Sequence, residues 1–316
     1  MTLISVFSLK GAPGVTTLSC LLASAWPAQG PLTVVEADPS GGDLAARFGL
    51  SSRTGWTSLC SSTRRSEESP SLTPHLQILP GGLGVLVGAR GEDRRSARSD
   101  EGTTVRSAPD PGGPGSAGLT IVDLGRLAES DTISDSWLGD SDASIVVVPG
   151  EAPAAMQLRN RGQHLLDTCN GRLVVIAVGG GRTGRELAEF AGIPVLDDVP
   201  VDVPADGPAA AVASGASGAH RRLERSLLWV AAGRTAAAVA DRIESGWEDG
   251  RQLMALRPGA ATPSDPPPVR RWKAGLRRSS VQIRDRVTVS DDRAASGHRA
   301  ADAGSEATDH RRRADA

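Results

Sequence analysis

Short runs of aliphatic residues recur along the N-terminal two thirds of the chain, with stretches of helical periodicity between them. After the first run, Leu18, Leu21, Leu22 and Ala25 follow the spacing i, i+3, i+4, i+7, which predicts a helix that ends before Pro27. The apolar runs show little polar alternation, as expected of parallel strands covered on both faces. These predicted strands lie at 2–9, 32–37, 76–79, 119–124, 144–149 and 173–178.

Helical patterns lie between several of these strands. Pro153 is a suitable first residue for a helix that reaches Cys169, a shorter helix is predicted over 186–190, and a long amphipathic one over 220–247. Alternating strands and helices predict an α/β fold with a doubly wound, mostly parallel sheet flanked by helices. In such a sheet the ligand binds at the carboxyl ends of the strands.

Two stretches do not fit this alternation. Residues 88–118 are rich in Gly, Pro, Ser, Arg and Asp, which predicts a flexible insertion. From 257 the chain is Pro-rich and then charged, and residues 258–316 carry 12 basic and 8 acidic residues. We therefore expect one domain over 1–256 and a basic, largely disordered tail over 257–316.

Composition narrows the chemistry. The chain has no Tyr and only 3% aromatic residues, so its core is expected to be aliphatic. Its cysteines, Cys20, Cys60 and Cys169, show no metal-ligand spacing, which argues against zinc and disulfides. Without a basic leader or an apolar run of about 18 residues, we expect a cytoplasmic protein.

The segment after the first strand, SLKGAPGVTT, has most features of a phosphate-binding loop. Such a loop needs glycines, so that backbone N–H groups wrap the phosphates, followed by a Lys and a hydroxyl for Mg²⁺. Gly11, Gly14 and Thr16 fit these places, but Val15 stands where the Lys belongs. Lys10 is one of only two lysines in the chain, which indicates that an ammonium group is needed there.

This loop resembles the deviant Walker A motif, KGGxGKT[ST], of the ParA/MinD family of SIMIBI-class P-loop NTPases. The resemblance implies that Lys10 is the signature lysine, which in this family contacts the ATP of the partner subunit in a nucleotide-sandwich dimer. Leu9 and Val15 depart from the motif, and the second departure puts hydrolysis in doubt. The implied cofactors are ATP and Mg²⁺, and the implied assembly is a homodimer.

The end of the second strand, EADPSGGDLAARFGL at 36–50, resembles switch I of the same family, and especially its TadZ/CpaE pilus-associated branch. There an acidic pair, matched by Glu36 and Asp38, helps to hold Mg²⁺ and to orient the attacking water. The alternative is that Asp38 or Asp43 only caps a helix.

The segment LTIVDLGRL resembles the family's Walker B strand and switch II, with Asp123 reaching Mg²⁺ through water and Gly125 sensing the γ-phosphate. Arg126 departs from the usual Pro-Ala-Gly continuation, and Gly179 begins a run of glycines where relatives carry an adenine-reading Asn. The residues expected to bind nucleotide are Gly11, Ala12, Pro13, Gly14, Val15, Thr16, Thr17 and Gly125; those expected to bind Mg²⁺ are Thr16, Asp38 and Asp123; those expected to act in hydrolysis are Lys10 and Asp38.

The resemblance leaves several functions open. One is an ATP-driven switch that positions DNA, a septum, or a pilus, secretion or conjugation machine together with a partner protein. Another, favoured by Val15 and by DLGRL, is a pseudo-ATPase that has kept the fold and the dimer face but not turnover. The further alternatives are an active partitioning ATPase, a scaffold without nucleotide and a biosynthetic P-loop ligase. The last is disfavoured because no substrate-binding cluster lies outside the switches.

The tail offers a separate hypothesis. If 269–287 were helical, Trp272, Leu276 and Ile283 would share a face with most arginines outside it, which is typical of helices on anionic lipid. That would place the protein peripherally at the inner face of the membrane. The favoured alternative is an Arg-rich disordered tail, because Ser279 interrupts the stripe. Nucleic acid is a further candidate partner for these arginines.

Overall fold

Eight strands form a single sheet among the residues that the computed structural model describes, which are 1–11, 13–27, 30–63, 71–89, 118–128, 132–179, 182–193, 195–199 and 226–247. The sheet order is β3-β4-β2-β5-β1-β6-β7-β8, and every neighbouring pair except β3 with β4 is parallel. The strands are β1 Thr2–Ser8, β2 Leu32–Glu36, β3 Gln77–Ile78, β4 Gly84–Leu86, β5 Leu119–Arg126, β6 Ala143–Pro149, β7 Leu173–Val178 and β8 Val195–Val199.

The described residues form seven α-helices and one short 3-10 helix, Thr73–His75. The α-helices are α1 Val15–Ser24, α2 Leu44–Phe48, α3 Trp56–Thr63, α4 Thr132–Asp140, α5 Ala152–Thr168, α6 Gly184–Ala191 and α7 Leu227–Ser245. The Ser226 hydroxyl caps α7 by accepting the N–H of Trp229 at 3.1 Å. None of the described helices is long and apolar enough to cross a bilayer.

The core lies in two layers, one on each face of the sheet, because successive strand residues point to opposite sides. One layer packs Leu3 and Val122 against α3, α4, α5 and α6. The other packs Ile4 and Ile121 against α1, α2 and α7. The prediction of a doubly wound, mostly parallel sheet flanked by helices is therefore confirmed.

The sequence pattern missed or misjudged the edges of the sheet. The segment 76–79 was expected to be a parallel strand, but β3 has only two residues and runs antiparallel to β4. Ile78 is 64% exposed at this edge, so its apolar side chain marks no buried strand. β4 has only three residues and β8 contains two aspartates, so neither stands out by periodicity or propensity.

The first and last residues of the predicted insertion, 88 and 118, are among the described residues. Gly88 is hydrogen bonded to Glu36 at the end of β2, and Gly118 accepts the N–H of Thr2 at 2.8 Å, so both belong to the sheet region. Residues 90–117 and the predicted tail at 257–316 lie outside the described residues. The described residues all fall within one compact unit, Met1–Ala260.

Candidate functional site

A cavity of about 530 Å³ opens at the carboxyl ends of β1, β2 and β5. The register places Asp123 opposite both Val6 of β1 and Glu36 of β2, so three strand ends meet at this edge. The volume is within the usual range for small-molecule sites. The cavity is lined by Ser8, Gly11, Gly14, Val15, Thr16, Thr17, Asp38, Ser40, Gly41, Gly42, Asp43, Arg47, Gly125 and Arg126.

The loop between β1 and α1 has the backbone that phosphate binding requires. Gly11 has φ 70° and Gly14 has φ 93°, both in the left-handed region that favours glycine. No side chain caps α1, whose first-turn N–H groups have no intrahelical partner. The Ser8 hydroxyl lies 3.3 Å from the Gly11 carbonyl and 3.4 Å from the Gly125 carbonyl, to either of which it donates. The helix N-terminus is thus arranged as an anion site.

The predicted loop residues divide into two groups. Thr16 and Thr17 line the cavity as expected, together with both glycines. Val15 also reaches it, but its side chain is only 5% exposed and packs into the core layer under α1. Lys10 is exposed and Pro13 half-buried, and neither lines the cavity, while Ala12 lies outside the described residues.

Asp123 is fully buried and does not line the cavity, but it lies next to Thr16 and Gly125, which do. Its Oδ1 accepts the N–H of Gly125 at 3.0 Å, whereas its Oδ2 has no hydrogen-bond partner among the described residues. Burial raises the pKa of Asp123 to about 7, opposed by the Thr16 hydroxyl and the Gly125 N–H and reinforced by the carboxylates of Asp38 and Glu36. An unpaired carboxylate oxygen beside a threonine hydroxyl is a place where a cation would bind favourably.

Asp38 and Gly125 lie in contact across the cavity. A Cβ at Gly125, where φ is 57°, would fall 2.1 Å from Cγ of Asp38, so only glycine allows this approach. Asp38 Oδ1 accepts the N–H of Ser40 at 2.6 Å, which shapes the turn after β2. The turn after β2 and the end of β5, which were compared with switch I and switch II, are therefore packed together, with the Asp38 carboxylate at the cavity wall.

Glu36 has a different role from the one that its position in the sequence suggested. It is only 2% exposed, and its carboxylate accepts the N–H of Leu44 at 2.8 Å and that of Gly88 at 2.7 Å. Desolvation by burial raises its pKa despite these two hydrogen bonds. Both carboxylate oxygens of Glu36 are thus occupied by backbone N–H groups, so the expectation that it helps to hold Mg²⁺ is replaced by a structural role.

The same geometry settles which residue caps α2. Asp43 precedes the helix but makes no side-chain capping hydrogen bond. The carboxylate of Glu36 accepts the first N–H of the helix, at Leu44, and so does the work of a cap from a neighbouring strand. The alternative that the Asp43 side chain caps this helix is therefore wrong, whereas Asp38 does accept a backbone N–H, that of Ser40 in the preceding turn.

Two arginines of the cavity wall were not expected from the sequence. Arg47 on α2 donates from Nη1 to the Thr17 hydroxyl at 3.1 Å and from Nη2 to Asp43 Oδ2 at 2.6 Å. Arg126 follows Gly125 and is exposed. The only sequence signal for Arg47 is its position four residues after Asp43, which is common for surface ion pairs.

The oxygen atoms present fit Mg²⁺, which prefers hydroxyl, carboxylate and phosphate oxygens. Within the described residues no group of three or more His, Cys, Asp or Glu side chains could hold a metal by itself. Mg²⁺ would therefore be held by Thr16 and the Asp38 and Asp123 carboxylates together with the oxygens of a bound phosphate, where it would offset phosphate charge.

A glycine loop between a strand and a helix at the edge of a parallel sheet is typical of P-loop folds, and comparison with solved structures specifies the type of fold. The ParA family ATPase from Chlorobium tepidum TLS is 16% identical, with a TM-score of 0.57, and the match covers 75% of this chain and 98% of that chain. MinD complexed with Mg-ADP from Pyrococcus horikoshii OT3 is 16% identical, with a TM-score of 0.53 over 75% of this chain and 95% of that chain. MinD in a MinC:MinD complex from Aquifex aeolicus is 16% identical, with a TM-score of 0.52 over 77% and 96%.

At these identities the likeness establishes the fold, which is that of the ParA/MinD-type ATPases. No protein-family model and no curated protein sequence matches the chain.

Proposed function

We propose that this protein is a ParA/MinD-type nucleotide switch that binds Mg²⁺-ATP, turns it over slowly or not at all, and positions a cellular machine. The observation that carries the proposal is one cavity lined by the glycine loop and by residues from the ends of β2 and β5, next to the buried Asp123, whose Oδ2 has no hydrogen-bond partner among the described residues.

Binding is supported by the loop and by the buried Asp123. The first-turn N–H groups of α1 provide donors for phosphate oxygens, and the Thr16 hydroxyl stands beside Asp123 for the metal. Bound Mg²⁺ would also stabilise the ionised form of Asp123, which burial disfavours. The site therefore gains most from a ligand that brings an anion and a cation together.

Weak turnover follows from Val15. A lysine contact to phosphate is a charge-assisted hydrogen bond of about 1.5–3 kcal/mol, so its loss weakens binding by about ten- to a hundredfold. Hydrolysis loses more, because the same charge stabilises the negative charge that moves during phosphoryl transfer. Since Val15 packs into the core, it cannot take part in this chemistry.

Assembly is the remaining part of the proposal. Lys10 is exposed at the loop and does not line the cavity of its own subunit, which suits a contact with nucleotide held by a second copy. One solved neighbour is a MinC:MinD cell division protein complex, which supports a partner protein for this chain as well. We propose a homodimer whose partner belongs to a partitioning, pilus, secretion or conjugation system.

Calorimetric titration with Mg²⁺-ATP tests the proposal, using the wild type, Val15→Lys and Val15→Met. The Met variant matches the length of Lys without its charge, so it separates charge from volume. We expect measurable binding by the wild type, binding about ten- to a hundredfold tighter in Val15→Lys only, and phosphate release that rises with it. If neither the wild type nor Val15→Lys binds, the chain is a scaffold without nucleotide and the proposal fails.

A further inference from the structure

The cavity lacks the lysine of the loop but still contains positive charge. Val15 is buried and apolar, and Lys10 is not part of the wall. Among the described residues, the basic side chains that line the cavity are those of Arg47 and Arg126. A triphosphate bound here without a lysine would therefore meet one or both of these arginines.

Arg47 is held close to the phosphate-binding turn. Its Nη1 donates to the hydroxyl of Thr17, which lies in the first turn of α1. Its Nη2 donates to Asp43, in an ion pair that spans one turn of α2. A guanidinium has five N–H groups, so these two contacts leave donors for the oxygens of an anion.

The helix that carries Arg47 is itself anchored. Glu36, at the end of β2, accepts the N–H of Leu44 at the start of α2. This hydrogen bond fixes the start of the helix next to the end of the strand. The backbone of Arg126 is held in β5, but its side chain makes no hydrogen bond or ion pair among the described residues; it is exposed and also lines a second cavity, of about 610 Å³, beside Arg161. The contrast favours Arg47 as the residue that is pre-organised toward the loop.

We propose that Arg47 is a phosphate-binding residue that supplies, from α2 of the same subunit, the charge that Val15 does not. The inference rests on the proposed nucleotide site. The ligand chemistry is the polyphosphate of a nucleoside triphosphate, because a guanidinium binds phosphate oxygens in pairs. Asp43 shares the guanidinium with the ligand, and an incoming phosphate competes with its carboxylate.

The experiment compares binding of Mg²⁺-ATP and of Mg²⁺-tripolyphosphate by calorimetry in the wild type, in four single variants at other positions, in Val15→Lys and in Val15→Lys combined with Arg47→Gln. Arg47→Gln removes the proposed contact, and Arg126→Gln removes the rival one. Arg53→Gln is the matched control, an exposed arginine in the same region that does not line the cavity. Asp43→Asn removes the competing carboxylate. Circular dichroism on heating verifies that each variant is folded.

We expect Arg47→Gln to weaken binding of both ligands by about ten- to a hundredfold, with Arg53→Gln unchanged. Asp43→Asn should tighten binding, because it frees the guanidinium; a purely structural role of the Arg47 ion pair predicts the opposite. Adding Val15→Lys to Arg47→Gln should restore binding, because the charge returns from the loop.

Three results would overturn the inference. The first is full binding by Arg47→Gln, or a loss that follows Arg126→Gln instead, which leaves the nucleotide site standing with a different cation. The second is a wild type that does not bind while Val15→Lys does, which shows that Arg47 does not replace the lysine. The third is that neither the wild type nor Val15→Lys binds Mg²⁺-ATP, which contradicts the proposed function as well.

Discussion

Replacing Asp123 with Asn should stabilise the ligand-free protein at alkaline pH. The carboxyl is fully buried, and its pKa is raised from 3.8 to about 7. A raised pKa means that the protonated form suits the folded state, so this contribution is complete below pH 4 and is lost as pH rises through 7. The difference corresponds to at most about 4 kcal/mol at pH 8 to 9.

The variant separates this effect from packing. Asn is nearly isosteric with protonated Asp and can still accept the N–H of Gly125. At pH 5 the two proteins should therefore unfold at similar temperatures. At pH 8.5 the variant should unfold several degrees higher, since about 1 kcal/mol moves the midpoint by roughly 2–4 °C in a domain of this size.

Differential scanning calorimetry from pH 5 to pH 9, without nucleotide or Mg²⁺, measures both midpoints. Asp140→Asn, an exposed residue at the end of α4, is the control and should show no such pH-dependent gain. Added Mg²⁺-ATP should stabilise the wild type and not Asp123→Asn. The reasoning is refuted if the variant is less stable than the wild type at pH 8.5, or if their difference does not change with pH.

Three further substitutions test other parts of the structure. Lys10→Ala should abolish an ATP-dependent dimer, measured by light scattering, while leaving ATP affinity of the monomer nearly unchanged. Glu36→Gln should lower the free energy of unfolding in urea by about 1–3 kcal/mol, because one of two backbone N–H groups loses its acceptor. An unchanged urea midpoint would contradict a stabilising role of these two hydrogen bonds. Gly42→Ala should destabilise, since its Cβ would lie 1.7 Å from Cδ of Glu36; Gly233→Ala, in open space on α7, should instead stabilise by about 0.5–1 kcal/mol.

The fold and the phosphate loop could be predicted because their signals are local. Each signal needs only about ten residues of sequence. One is a buried apolar run that leads into Asp123, and the other is a glycine loop between a strand and a helix. Parallel packing then brings such strand ends together without further information. The positions of the glycine loop and of Asp123 in the fold could therefore be predicted from the sequence alone.

The wall of the cavity depends on contacts between distant segments. Glu36 has the right type and position for a metal ligand, but Gly88, 52 residues away, binds its carboxylate. Arg47 resembles any surface arginine until α2 folds against Thr17, 30 residues earlier. Neither contact leaves a periodic signal in the sequence, so the roles of both side chains emerge only from the structure.

The three cysteines differ sharply in accessibility, which has a practical consequence for labelling the protein. Burial raises the pKa of Cys20 to about 12 and that of Cys169 to about 11, so neither thiol forms a thiolate readily. Cys60 is half-buried on α3, one helical turn after Trp56, whose indole N–H donates to the Glu36 carbonyl at 2.7 Å. A maleimide fluorophore would therefore attach selectively at Cys60, on the helix whose Trp56 contacts Glu36 at the end of β2. Its emission would report movement at that strand end without any engineered residue.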